Sequence, residues 1–195
     1  MNYWIIGTLI LSLISPISYT RSMLAGKAKP HRVTRFIVWL ASIAGMLGVL
    51  HNSNLPGKIF AGIFLARASY LLVMSLIHGV GGWAKLDRYC LGLGILALIC
   101  YVVTRNGVIT ISLGILSDVI GYIPTFIKTY HHPFTEDPVF FSIEGLASLL
   151  GVFAVWQLRA DILFPIYFTL CSAVVVGLIY RKKLVELFVR DQPKT

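Results

Sequence analysis

The sequence predicts an all-α integral membrane protein whose seven transmembrane helices form two parallel three-helix bundles joined by a linker helix. Composition is the first observation: 57% of the 195 residues are hydrophobic and only 13% are charged, and the mean hydropathy is +0.81. A soluble domain carries about 25% charged residues. The second observation is a series of seven apolar segments. The third is an internal sequence repeat that relates the first three segments to the last three.

Each apolar segment is close to the length of about 20 residues that a helix needs to cross a membrane. The predicted helices cover residues 3–19, 33–50, 58–78, 86–104, 108–127, 139–157 and 162–180. Turn-forming stretches separate several of them: HNSNLPG at 51–57, GVGGW at 79–83 and RNG at 105–107. The first segment has no basic region before it and no small-residue cleavage site, which favours a retained helix over a signal peptide.

The basic residues predict the orientation, because cytoplasmic loops of membrane proteins are enriched in lysine and arginine. One side of the predicted membrane holds thirteen of them: Arg21, Lys27, Lys29, Arg32, Arg35, Lys85, Arg88, Lys128, Arg181, Lys182, Lys183, Arg190 and Lys194. The other side holds Lys58, Arg105 and Arg159. We therefore expect a multi-pass protein of the cell inner (plasma) membrane, with its N-terminus outside and its C-terminus cytoplasmic. The net charge of +9 then reflects topology and not a nucleic-acid partner.

An internal repeat relates the two ends of the chain. Pro16 aligns with Pro124, Leu40-Ala41-Ser42 with Leu146-Ala147-Ser148, Gly45 with Gly151, and Ser69 with Ser172. Two units of three helices can have the same orientation in the membrane only if an odd number of helices, here one, links them. The predicted organisation is a first bundle at 1–80, linker helix 4 at 81–106, a second bundle at 107–183 and a cytoplasmic tail at 184–195.

This layout resembles the PQ-loop superfamily of transporters, which includes the SWEET sugar facilitators and lysosomal amino-acid exporters. The resemblance covers most of the chain as architecture, with a proline near the cytoplasmic end of the first helix in each unit. Pro16 is followed by Ile17 and Pro124 by Thr125, so the glutamine that names the motif is missing. The segments KAKPHRVTRFIVW and PTFIKTYHHPFTED also resemble a group of uncharacterised bacterial membrane proteins. The resemblance implies alternating access between the two bundles.

Charged residues inside predicted helices are the strongest indication of a site, since such residues are costly in hydrocarbon and usually mark a pathway. Arg67 lies about 13 Å and Asp118 about 15 Å from the outer ends of their helices, at 1.5 Å per residue. Both therefore lie near the midplane, where transporter sites are generally found. They form either a structural ion pair or a site for solute or a coupling proton. Glu144 is the third such residue, either a part of the inner gate or a side chain that reaches back to the interface.

Neutral residues complete the predicted pathway. The candidates are Ser42, Ser117, Thr125, Ser148 and Trp39. Small hydroxyl residues are also common at helix contacts, and Trp39 is also predicted to pack in the core. Pro16 and Pro124 each remove a backbone donor, which makes them candidate hinges or passive kinks.

The segment HHPFTED at 131–137 is predicted to be an exposed loop and not a metal site, because adjacent histidines do not converge on one ion. Three cysteines, Cys90, Cys100 and Cys171, lie in apolar segments without metal or disulfide spacing. The chain has no zinc-protease, serine-hydrolase or nucleotide-binding motif. No catalytic residue, metal or cofactor is therefore predicted, and the chain is not expected to be an enzyme.

The sequence thus predicts a membrane carrier for a small polar solute such as a sugar, an amino acid or a vitamin-like molecule, either facilitated or proton-coupled. One alternative is a vitamin-precursor carrier resembling the nicotinamide riboside transporters. Another is a non-transporting scaffold or lipid-associated accessory protein, whose basic first loop binds anionic headgroups. A wet midplane pocket reached by Asp118 favours transport, and a dry interior favours a scaffold. The expected partners are a small-molecule solute and membrane lipids, without nucleic acid, and the sequence leaves open a homo-oligomer.

Overall fold

The described part of the protein is all-helical. The computed structural model describes residues 3–50, 55–81, 85–104, 106–156 and 162–190. Its helices are α1 (Tyr3–Leu24), α2 (Arg32–Leu50), α3 (Leu55–His78), α4 (Lys85–Thr104), α5 (Gly107–His131), α6 (Pro138–Ala154) and α7 (Leu163–Arg190), with a 3₁₀ turn at Pro133–Thr135. Four of them, α1, α2, α3 and α7, are identified as long and apolar enough to cross a membrane. The chain is therefore a helical membrane protein, as its composition predicts.

Several helices continue past the apolar stretches that predict them. The last turns of α1 and α5 include polar or basic residues, and α7 extends to Arg190. Lysine and arginine are good helix formers, so a helix does not have to end where its apolar stretch ends. α6 is the exception, because it is apolar but only 17 residues long and ends at Ala154. The predicted segment 139–157 runs three residues further.

The helices pack in a paired pattern. α1 contacts α3 and α6, while α5 contacts α7 and α2. α3 also packs on α2, and α7 packs on α6. α4 lies against α2 and α5. If α1, α2 and α3 are exchanged for α5, α6 and α7, every one of these contacts except those of α4 is reproduced.

Two glycines, one on α2 and one on α6, each face a phenylalanine ring of the other unit. Gly45 on α2 faces the ring of Phe164 on α7, and Gly151 on α6 faces the ring of Phe60 on α3. A methyl group at either glycine would collide with the ring. The pair that the sequence alignment matched, Gly45 and Gly151, therefore has matched surroundings.

An aromatic cluster fills the centre between α3 and α7. Phe64 and Phe168 have ring centroids 4.0 Å apart, and Phe164 meets Phe64 edge-on at 5.8 Å. Tyr167 packs edge-on against Phe168 at 4.8 Å. All four side chains are buried in the main hydrophobic core. This cluster surrounds the polar groups described below with a low-dielectric environment.

The end of the bundle that carries Arg21, Lys27, Lys29, Arg32, Arg35 and Lys128 is called here the basic end. Backbone hydrogen bonds tie its loops together. Val80 N–H donates to the Pro30 carbonyl at 2.9 Å, and Arg32 N–H donates to the Val80 carbonyl at 3.0 Å. Gly81 adopts a φ of 111°, a conformation that favours glycine, while it packs on the His31 ring. The α1–α2 loop is thereby fixed to the end of α3.

Candidate functional site

A buried ion pair joins the two groups of helices. The guanidinium of Arg67 on α3 pairs through Nη1 with Oε1 of Glu144 on α6. Arg67 is only 8% exposed and Glu144 only 4% exposed. The guanidinium also lies over the ring of Phe64, 4.2 Å from its centroid. Removing one member of such a pair leaves an uncompensated buried charge.

A second buried carboxylate lies on α5. Asp118 is fully buried, and its Oδ2 accepts a hydrogen bond of 2.9 Å from the hydroxyl of Tyr167 on α7. Its other oxygen, Oδ1, has no hydrogen-bond partner among the described residues. A carboxylate accepts through both oxygens, so Oδ1 retains capacity for a proton, a water or a solute.

The direct ion pair between Arg67 and Asp118, one of the two predicted arrangements, is not formed. Arg67 reaches Glu144, while Asp118 accepts from Tyr167 on a helix packed beside its own. Depth along the helices placed Arg67 and Asp118 near each other, but depth does not determine which way each side chain points. Glu144 does not reach back to the interface either, because it is buried and paired with Arg67.

A second polar cluster lies at the basic end. Glu136, directly after the 3₁₀ turn, is buried and accepts from the Tyr19 hydroxyl at 2.8 Å through Oε2. Its Oε1 lies 2.5 Å from Nζ of Lys128, which also donates to the Lys29 carbonyl at 2.8 Å. Lys29 N–H donates to the Thr135 carbonyl at 3.3 Å. This basic-end cluster joins the α1–α2 loop, the end of α5 and the α5–α6 loop.

Asp137 joins the same loop to α1. Its Oδ1 accepts from the Phe140 N–H at 2.9 Å and so caps the start of α6. Its Oδ2 accepts from the hydroxyls of Ser18 and Ser22. The prediction of an exposed loop is therefore wrong for Glu136 and Asp137, which are both buried. Loop composition predicts exposure on average, but these acids are satisfied by partners on α1 and α5.

Sequence reasoning also missed Arg35, which was counted among the loop residues. Arg35 lies in the first turn of α2, is buried, and has its guanidinium 4.8 Å from the Tyr19 ring centroid and 5.4 Å from the Phe140 centroid. Tyr19 and Tyr167 were missed as site residues as well. In the sequence, a tyrosine inside an otherwise apolar helix could have identified them, because a buried tyrosine hydroxyl usually has a hydrogen-bond partner.

Two of the predicted pathway residues make hydrogen bonds within the first unit. Ser42 donates to the Val38 carbonyl at 2.6 Å, and Trp39 Nε1 donates to Ser69 Oγ at 3.0 Å. Ser117, Thr125 and Ser148 are buried in α5 and α6. Trp39 packs on the edge of the main core, in agreement with its predicted place.

The two predicted hinge residues, Pro16 and Pro124, lie inside continuous helices. Each removes one hydrogen bond from its helix, because proline cannot donate to the carbonyl four residues earlier. For Pro16 that carbonyl belongs to Ser12. Both helices continue through their prolines without a break.

One of the two larger cavities is lined by Arg67, and neither is lined by Asp118. A cavity of about 340 Å³ lies between α1 and α3, and its lining includes Pro16 and Arg67. A second cavity, of about 690 Å³, opens at the basic end beside Glu136 and Asp137. Asp118 is not among the residues that line either of these two cavities. The cavity beside α1 and α3 is therefore lined in part by Arg67 and not by the predicted carboxylate.

Comparison with family models, with curated proteins and with solved structures yields no significant match to this chain. The resemblance to PQ-loop transporters stays a prediction. Within the described residues no group of three or more histidine, cysteine or acidic side chains is placed to hold a metal ion. The chemistry available at the centre is that of two carboxylates, one guanidinium and one phenol in an apolar surrounding. Such a set binds polar groups or moves a proton.

Proposed function

We propose that this protein is a membrane carrier for a small polar solute, working by alternating access either as a facilitator or with coupled protons. The carrier consists of two three-helix units, α1–α3 and α5–α7, with α4 as the linker, in an arrangement like that of PQ-loop transporters. All seven helices span the membrane, with the N-terminus outside and the basic end in the cytoplasm. The matched packing of the two units supports this arrangement.

The observation that carries the proposal is the pair of buried acids between the units. Asp118 keeps one unpartnered oxygen in a fully buried position, and Glu144 holds Arg67 across the boundary from α6 to α3. Ionisable groups at this depth are expensive in a membrane and usually functional. Asp118 accepts the proton or a donor group of the solute. The ion pair of Arg67 and Glu144 rearranges when the proton or solute binds. Vitamin precursors of the nicotinamide riboside type are one solute class among those to be tested.

Alternating access requires that one end opens while the other stays shut. In the described conformation the basic-end cluster of Tyr19, Glu136, Lys128 and Lys29 ties the loops of both units together. We assign this conformation to a state in which the basic-end cluster closes the path between the two units, while the cavity beside Glu136 and Asp137 lies outside that path. Opening of that end would break the bonds of Glu136, with bending near Pro16 and Pro124.

Transport is tested by uptake into proteoliposomes with a panel of sugars, amino acids and nucleosides, with and without a proton gradient. We expect saturable uptake of at least one solute class. Orientation is tested separately by single cysteines: one at Lys29 is labelled only from the cytoplasm, and one at Asn106 only from outside. Labelling of both from the same face contradicts the seven-helix arrangement.

The second candidate is a non-transporting scaffold or lipid-associated protein. It is favoured by one observation, that Asp118 is fully buried and lines neither of the two cavities described above. Here Asp118 and Tyr167 only fix α5 to α7. A protein that folds, inserts with the expected topology and takes up none of the panel solutes supports this alternative.

A further inference from the structure

The cavity of about 690 Å³ at the basic end has two chemically different walls. Arg21 and Lys27, from the end of α1 and the loop after it, give one wall positive charge, and Phe134, Val139 and Ile179 make another wall apolar. Phe134 is 84% exposed and Val139 is 53% exposed, so the apolar wall opens on the surface of the bundle. A ligand in this cavity meets accessible cations on one side and accessible apolar surface on the other.

The end of α1 holds the two cations in place. Gly26 has a φ of 68° and donates to the Met23 carbonyl at 2.9 Å. Lys27 N–H donates to the Ser22 carbonyl at 2.9 Å, which completes the turn that commonly ends a helix at glycine. This turn brings Lys27 to the same cavity as Arg21. Both side chains are exposed, and neither has a carboxylate within ion-pair distance among the described residues.

Two acids also line the cavity, but they are buried and already have partners. Glu136 is paired with Lys128, which cancels its charge. Asp137 accepts from two hydroxyls of α1 and from the N–H that it caps. The charges that remain are those of Arg21, Lys27 and Asp137, so the wall has one positive charge in excess. A ligand with a single negative charge neutralises it.

A phosphodiester carries one negative charge, and its oxygens accept strong hydrogen bonds from arginine and lysine. The exposed apolar wall favours a phosphate that is attached to hydrocarbon chains over a free phosphate ion, which gains nothing from Phe134 or Val139. A choline headgroup brings a cation of its own and so does not neutralise the wall. Anionic headgroups are abundant at the cytoplasmic surface of membranes, where the proposed orientation places the basic end. Charge and location therefore select the same ligand, an anionic phospholipid.

We propose that the cavity at the basic end binds the headgroup of an anionic phospholipid with one phosphodiester, such as phosphatidylglycerol. Arg21 and Lys27 donate to the phosphate, and an acyl chain runs along Phe134 and Val139 into the bilayer. The site rests on the proposed function only for the position of the basic end at a membrane surface. It does not require transport, because Asp118 lies outside this cavity.

The test adds phosphatidylglycerol or phosphatidylcholine with the same acyl chains to the full-length protein in detergent micelles, and native mass spectrometry measures the bound lipid. We expect phosphatidylglycerol to bind about thirtyfold more tightly, the factor that two basic residues contribute near a membrane surface. Arg21→Gln with Lys27→Gln removes this preference. The matched control, Lys29→Gln with Arg32→Gln, removes the same charges from exposed positions of the basic end outside the cavity and keeps the preference.

Equal binding of the two lipids by the wild type overturns the proposal, and this comparison needs no variant to fold. An equal loss of preference in the control pair overturns it too, since the charge of the whole basic end then suffices. Water-soluble glycerophosphoglycerol distinguishes a lipid from a free phosphate: displacement of phosphatidylglycerol by an equal concentration of it shows that the acyl chains contribute nothing. None of these results depends on solute uptake, which tests the carrier separately.

Discussion

The two three-helix units α1–α3 and α5–α7 differ in chemistry far more than in packing. α2 and α6 begin at matching residues, Arg32 and Pro138, and each follows a capping residue that accepts from the third residue of the helix. The glycines that the alignment matches each receive a phenylalanine of the opposite unit. The charged residues, in contrast, have no counterparts. Arg67 corresponds to Leu170, Asp118 to Ile10, Glu144 to Val38 and Tyr167 to Phe64.

This difference separates what the scaffold needs from what a site needs. Packing between helices in a membrane depends on small residues and shape, and a repeated unit supplies it twice. A buried ion pair or carboxylate costs free energy and adds little to stability compared with well-packed apolar residues. Polar groups that occur in one unit only are therefore the ones that a function has to explain.

The largest effect is expected from breaking the asymmetric ion pair. Glu144→Gln leaves the buried guanidinium of Arg67 without its charge partner and should lower the free energy of unfolding by about 3–5 kcal/mol. Replacing both members, as Arg67→Met with Glu144→Leu, should recover most of it. Chemical unfolding in detergent micelles measures both. A single variant as stable as the wild type would show that the pair is not buried in solution.

The matched packing is tested by substituting the two glycines. Gly45→Ala and Gly151→Ala each force a methyl group against a phenylalanine ring and should each cost about 1–3 kcal/mol. Because the surroundings are equivalent, the two costs should agree within a factor of about two, given the usual context dependence of such values. A large cost at one glycine and none at the other would contradict the pseudosymmetry of the units.

The same division between helix packing and the polar site separates what the sequence could predict from what it could not. The helices, the buried position of Arg67 and Asp118 and the match of Gly45 with Gly151 all follow from hydropathy and alignment, since these depend on local composition. The partner of Arg67 could not be predicted. It depends on how far each helix is rotated about its axis, which is decided by packing over the whole bundle.

The basic end was predicted less well for another reason. Loop residues are usually exposed, so Glu136 and Asp137 were expected in solvent. Arg35 was counted with the basic residues of the first loop, although it lies inside the predicted helix at 33–50. All three are buried because side chains more than 90 residues away in sequence contact them: Tyr19 for Glu136, Ser18 for Asp137 and Phe140 for Arg35. Contacts across more than 90 residues leave no pattern in the local sequence.

The smallest effects are expected at the helix caps, where the units differ slightly. Asp137 caps α6 with a bond of 2.9 Å, while the matching His31 accepts from Thr34 N–H at 3.5 Å, a length at which a hydrogen bond is weak. Asp137→Ala should cost about 2 kcal/mol, at the upper end for a cap, and His31→Ala about 0.5 kcal/mol. Thermal unfolding of both variants compares them. Equal costs would mean that the bonds of Ser18 and Ser22 to Asp137 add nothing.

The most direct test of the account concerns Asp118, the carboxylate of the second unit whose Oδ1 has no hydrogen-bond partner among the described residues. Asp118→Asn is nearly isosteric, keeps an acceptor for the Tyr167 hydroxyl, and leaves Arg67 paired with Glu144. The variant should therefore fold with wild-type stability, and its gradient-driven uptake into proteoliposomes should fall to the background of empty liposomes. Wild-type uptake by a well-folded Asp118→Asn protein would contradict the assignment of solute or proton binding to this carboxylate.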